Sequence, residues 1–168
     1  MSFDPNKADI PGDAAQALTQ ALDSFGTGQT CSPGTVLFRQ GHPGHGVLVL
    51  RRGNVELYVS TEDRRTRLPY RTVGPGSVLG LPALFSGEPF SLTAEALEEC
   101  EFSFVQRETA LQLMRDRLDL CLQAVIQMAS EITALGQWRV ATMYPHSHPP
   151  RAFCAEETPP TRSGGKSG

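Results

Sequence analysis

The chain is poor in the features by which many functions show themselves. It has no excess of positive charge: 15 Lys and Arg stand against 18 Asp and Glu, a net charge of −3. Chains that bind nucleic acid ordinarily carry a basic patch to neutralise phosphates, so the charge does not point to that partner. Four cysteines are present, Cys31, Cys100, Cys121 and Cys154, and none stands in a CxxC pair. This spacing argues against a zinc site and a redox dithiol, and implies reduced thiols in a cytoplasmic protein. No secretory signal opens the chain, because "MSFDPNKADIPGD" is polar and broken by proline. No apolar run is expected to be long enough to cross a bilayer, so no membrane partner is expected. No nucleophile sits with a base and an orienting group, so no catalytic residue and no enzymatic activity are expected. No cofactor and no metal are implied.

The length of 168 residues suits one compact domain with a tail. Residues 1–11 read as a loose N-terminal arm. In "GDAAQALTQALDSFG", Ala14, Leu18, Leu22 and Phe25 share one helical face, and Gly26 and Gly28 end it. The period then changes. "TVLFRQ", "GVLVLRRG", "NVELYVST" and "LPYRTV" are rich in β-branched and aromatic residues and are separated by Gly and Pro turns. The charged stretch "TEDRRTR" reads as a solvated hairpin loop, and "LTAEALEECEFSFVQ" as two further strands. The helical period returns over 107–117 and again over 118–140. In the second helix Cys121, Val125, Met128, Ile132 and Leu135 follow a 4-3-4-3 spacing, a seam suited to a partner helix. Leu118, Leu122, Ile126 and Ala129 widen that face. Residues 141–168, rich in Pro, Ser and Gly, read as a disordered tail. The fold class is therefore mainly β with flanking helices: an antiparallel β-barrel or jelly roll with an N-terminal helix and a long C-terminal helix.

Over residues 12–140 the sequence resembles the cyclic-nucleotide-binding domain superfamily. The stretches that carry the resemblance are "GTVLFRQGHPGHGVLVLRRGNVELYVS", "GPGSVLGLPALFSGEP" and "TAEALEECEFSFVQRE". Gly34, Gly41, Gly53, Gly74, Gly76 and Gly80 fall at the turns such a barrel needs, where a positive φ or a missing Cβ is required. The resemblance places the family's phosphate-binding cassette on residues 80–92. It implies a site in which a helix N-terminus and an Arg receive the phosphate and a Glu receives a ribose hydroxyl. Gly80 keeps its place, and Pro82 and Ala83 continue the short helix. The Glu position is Leu81 and the Arg position is Phe90, while Ser91 keeps its hydroxyl. The base-contacting positions of the last helix fall near Leu135 and Gly136, which have no polar side chain. Tight binding of cyclic nucleotide is not expected, since the loss of a charge-assisted bond to a buried anion costs on the order of several kcal/mol.

Leu81 and Phe90 are expected to fill the old cavity. Two other readings are a pocket retuned to an apolar ligand and nucleotide binding through Ser91 and backbone N–H groups alone. The long helix corresponds to the family's dimer helix, so a homodimer is expected. A regulatory protein partner is possible, and direct DNA binding is not expected because Pro-rich sequence follows Trp138. The alternative of another class is a cupin-type, metal-dependent barrel enzyme. His42 and His45 in "GHPGHG" are its only barrel histidines, and they are spaced by three rather than two, which favours a solvated turn. His146 and His148 fall in the tail, where a specific metal site is not expected. The resulting expectation is a non-enzymatic module of signal transduction with a degenerate cassette.

Overall fold

The computed structural model describes residues 12–61 and 65–143. The expected N-terminal arm, the tip of the 61–67 hairpin, His146, His148 and Cys154 lie outside those residues. The elements in order are α1 (Gly12–Ser24), β1 (Thr27–Cys31), β2 (Val36–Phe38), β3 (Gly46–Arg52), β4 (Val55–Ser60), β5 (Arg67–Val73), β6 (Val78–Leu79), α2 (Leu81–Ser86), β7 (Thr93–Ala96), β8 (Cys100–Gln106), α3 (Arg107–Asp116) and α4 (Leu118–Met143). The strands form two four-stranded antiparallel sheets, ordered β1-β8-β3-β6 and β2-β7-β4-β5. This is the antiparallel jelly roll with flanking helices that the sequence implies. The last helix runs three residues into the segment expected as tail, since α4 ends at Met143.

The two sheets enclose one core, and the helices build a second on the outer side of the first sheet. In β3, "GVLVL" is buried throughout. Leu48 and Leu50 face the barrel interior with Val55, Leu57, Val73, Leu79, Ala94 and Phe102. Val47 and Val49 face the other way, into Leu18, Leu22, Leu84, Met114 and Leu120 from the helices. Strand β8 divides likewise, with Phe102 inward and Val105 toward the helices. A strand covered on both faces reads as a continuous apolar run rather than an alternation. Each fully buried Leu or Val contributes about 1.5–3 kcal/mol of transfer free energy.

Helix α1 is fixed on this wall by charge as well as by packing. Asp23 accepts a hydrogen bond from Arg51 Nε of β3 at 2.7 Å and another from the fully buried Ser103 hydroxyl of β8. The Arg51 hydrogen bond holds the Asp23 carboxyl below the usual range against the opposing effect of burial. Phe25 departs from its expected helical face. The chain leaves the helix at Ser24, and Phe25 is exposed.

Two strands carry no sequence signal of their own. β1, "TGQTC", has exposed side chains up to the half-buried Cys31, and its backbone pairing with β8 makes it a strand. β6 is two residues long. The β1–β8 register also sets Cys31 directly opposite Cys100, so the absence of a CxxC pair does not keep these thiols apart.

Of the six framing glycines, all but Gly74 have positive φ. Gly46 has a different constraint. A Cβ there would stand 2.1 Å from the carbonyl oxygen of Val105, across the β3–β8 ladder. The Gly46→Ala variant should lose about 1–3 kcal/mol of stability. A urea denaturation midpoint equal to that of the parent chain would contradict this packing.

Candidate functional site

The cassette begins where β6 ends. Gly80 turns the chain in the left-handed region at φ 94, and α2 follows with Pro82 in its first turn. Pro lacks an N–H and is tolerated there because the first turn has no internal acceptor for one. Gly87 closes the helix at φ 74, with its N–H bonded to Ala83 O. Arg107 donates to the same carbonyl at 3.0 Å. The far arm is tied to the loop before β3: Phe90 N–H donates to His42 O at 3.0 Å and Gly41 N–H to Phe90 O at 2.8 Å.

Leu81 and Phe90 take different places. Leu81 is fully buried, but its side chain belongs to the helix-side core with Val78, Leu84 and Met114. It does not fill the cavity, contrary to the expectation. Phe90 does line the cavity, and its ring stacks on Phe38 with centroids 4.2 Å apart and planes 20° apart. The same stack borders two hollows. One, of about 180 Å³, lies under the cassette and is lined by Gly80, Pro82, Ala83, Phe90, Ser91 and Glu131 among others. The other, of about 260 Å³, lies toward His42, His45 and Arg39. Typical small-molecule sites occupy about 300–1,000 Å³.

The cassette cavity is mostly apolar, and its polar lining residues are Ser86, Ser91, Glu88 and Glu131. No Lys, Arg or His is among its described lining residues. A phosphate entering here would lose water without gaining a cationic partner among those residues. Leu135 and Gly136 do not line it. The residue of α4 that reaches it is Glu131, one turn earlier, the single charged side chain between Leu120 and Trp138.

Glu131 belongs to a latch between α4 and β5, the edge strand of the second sheet. Arg71 donates to Glu131 Oε1 at 3.0 Å, with both side chains mostly buried. Trp138 Nε1 donates to Pro69 O at 3.0 Å, and the Trp138 ring meets Tyr70 edge-on at 5.8 Å. Gln127 donates to Val78 O at 3.3 Å beside them. Burial pushes the Glu131 carboxyl above its usual range, and the Arg71 guanidinium offsets part of that rise. A second polar cluster joins Tyr58, Arg67 and Glu95 on the second sheet, with Arg67 4.2 Å over the Tyr58 ring. Arg67, read from sequence as part of a solvated loop, is in β5 and paired.

Among the described residues no three His, Cys, Asp or Glu side chains gather as a metal site, and His42 and His45 are exposed. Of the residues expected to form a dimer seam, Val125 and Ile132 are exposed. Cys121 and Met128 lie half-buried against the chain's own helix-side core. The exposed apolar column is Leu118, Leu122, Val125, Ala129 and Ile132, also in 4-3-4-3 spacing, with Gly136 one step beyond. Over Leu118–Trp138, α4 is long and apolar enough, by length and composition, to span a bilayer, contrary to the reading that no run qualifies. Leu120 and Ala124 nonetheless pack in the domain core, and Glu131 is paired to the barrel.

The chain belongs to the cyclic nucleotide-binding domain family, whose family model matches residues 29–117. Its fold is shared with the Thermus thermophilus catabolite activator protein, at 18% identity and a TM-score of 0.65 over 84% of this chain and 64% of that one. The chain thus spans less than two thirds of that activator's length. A transcriptional regulator from Thermotoga maritima matches at 19% identity and TM-score 0.64, over 75% of this chain and 97% of that one. A c-di-GMP responsive global regulator from Xanthomonas campestris matches at 18% and 0.64, over 81% of this chain and 74% of that one. No match was found among curated proteins.

The latch generates a pH prediction. The Glu131 carboxyl titrates higher in the folded chain than in the unfolded one. Folding therefore takes up a proton between the two values, and stability falls as pH rises through that window, above about pH 4.3. Arg71→Met removes the offsetting charge and widens the window. The variant should lose up to about 3 kcal/mol at neutral pH and recover part of it in acid. Thermal melts from about pH 5 to pH 8 measure this. A loss independent of pH would contradict the assignment.

Proposed function

We propose that the protein is a non-enzymatic, cytoplasmic regulatory module of the cyclic-nucleotide-binding type, working as a homodimer, whose cassette does not bind cyclic AMP tightly. One observation carries the reading of the cassette: no cationic residue for a phosphate is among the described residues that line its cavity. Leu81 supports the same reading, because the position at which the resemblance implies a Glu holds an apolar side chain packed in the helix-side core. Removing the charge-assisted bonds costs on the order of several kcal/mol, which is a factor of hundreds or more in affinity.

The dimer rests on α4. Leu118, Leu122, Val125, Ile126 and Ile132 are 47–69% exposed. Such a face on one helix of a packed domain is a recognised signature of an interaction surface. Gly136 has open space beside it, so a second helix can approach closely there. In this reading the module passes its signal through the partner helix or to a regulatory protein.

A second reading, a barrel that holds an apolar ligand, is favoured by the cavity's survival. Leu81 has turned away, and about 180 Å³ of mostly hydrocarbon-lined space is left.

Light scattering at micromolar concentration should give twice the chain mass, and substitution of Leu122 and Ile132 by Glu should halve it. A parent chain of monomeric mass would remove the dimer from the proposal. Calorimetric titration with cyclic AMP should show no binding in the micromolar range. Micromolar affinity or better would show that the reading of Leu81 and Phe90 is wrong.

A further inference from the structure

Cys31 and Cys100 are distant in the chain, but β1 and β8 bring them face to face. They are direct partners in the antiparallel register. Residues so placed project to the same face of the sheet, with Cα atoms about 4.5–5.5 Å apart. Disulfides span Cα separations of about 4.4–6.8 Å, so no strand need move far for the bond to form. Both thiols are free in this structure.

The two differ in access. Cys100 is fully buried in the barrel core, with its Sγ 3.4 Å from the carbonyl oxygens of Asn54 and Glu98. Cys31 is half-buried at the edge of the same cluster. Burial pushes the Cys100 thiol up, and the neighbouring Cys31 adds to the rise. The difference in access suits an outer thiol that meets an oxidant, while the strand register, rather than its acidity, places the inner thiol to resolve the product. The strand they join also lacks another side-chain anchor, since Thr27–Thr30 are exposed.

We propose that Cys31 and Cys100 are an oxidisable dithiol, converted by a small peroxide to a reversible cross-strand disulfide that locks β1 onto β8. Peroxide oxidises the Cys31 thiol to a sulfenic acid and releases one water. The Cys100 sulfur then displaces that hydroxyl as a second water, forming the S–S bond. The two thiols give up two protons and two electrons, and the peroxide O–O bond takes up both. A thiol reductant reverses the step by exchange. The inference is independent of what the cavity holds.

The test uses the full chain, reduced, desalted and treated with hydrogen peroxide, followed by peptide mapping under denaturing conditions. The expected product is a peptide pair joined between Cys31 and Cys100, lost again on treatment with dithiothreitol. Amide exchange in Thr27–Thr30 should slow in the oxidised chain. In Cys31→Ser, modification of Cys100 should slow by at least about tenfold, because the pair's high effective concentration is gone. Should that variant misfold, Cys31→Ala provides the same comparison. The proposal is overturned if peroxide takes Cys31 to sulfinic acid with no joined peptide. It is overturned equally if Cys100 reacts as fast without Cys31, or if the disulfides formed link Cys31 or Cys100 mainly to Cys121 or Cys154.

Discussion

Everything in this fold leans on a sheet with two buried faces. Strands β3 and β8 form the centre of a wall with the barrel interior on one side and the helical layer on the other. Each residue of "VLVL" (47–50) is committed to one of two cores, so a register slip of one residue would exchange the two sets of side chains. The Asp23 bonds to Arg51 and Ser103 add a polar registration mark to the apolar one. The cassette follows from this wall: β6 alternates Val78 outward and Leu79 inward, and the chain then turns at Gly80 into α2.

The same wall explains the fate of Leu81. The first residue of α2 lies over the helical layer, and an apolar side chain there joins a core that already exists. A carboxylate at that position, oriented as Leu81 is, would be buried without a partner at a cost of several kcal/mol. Position 81 is thus bound into the stability of the domain. Phe90 is different. It sits on the cavity side, where its ring stacks on Phe38.

How much was legible in the sequence depended on whether the determining contact was local. The long strands, the glycine corners and the cassette frame were legible because periodicity and positive-φ turns are local properties. β1 was not, because its side chains are polar and exposed and only pairing with β8 holds it. Of the residues expected as a seam on α4, Val125 and Ile132 are exposed while Cys121 and Met128 lie against the chain's own core, a division that only tertiary packing shows. Glu131 was overlooked as a cavity residue, although a lone acid in an apolar helix was the available signal. Its counter-ion Arg71 lies far away in sequence, on β5. The opposition of Cys31 and Cys100 is likewise a product of strand register, which cysteine spacing does not encode.

The ring pair Phe38–Phe90 has one more consequence. It is a partition between the hollows of about 180 and 260 Å³, and Leu79 borders both as well. Phe90's backbone is tied at Gly41 and His42, which leaves the side-chain torsions as its local freedom. Stacking of this kind is worth about 0.5–1.5 kcal/mol beyond area burial. A turn of either ring about its side-chain torsions would therefore merge or redivide the two hollows without moving a strand.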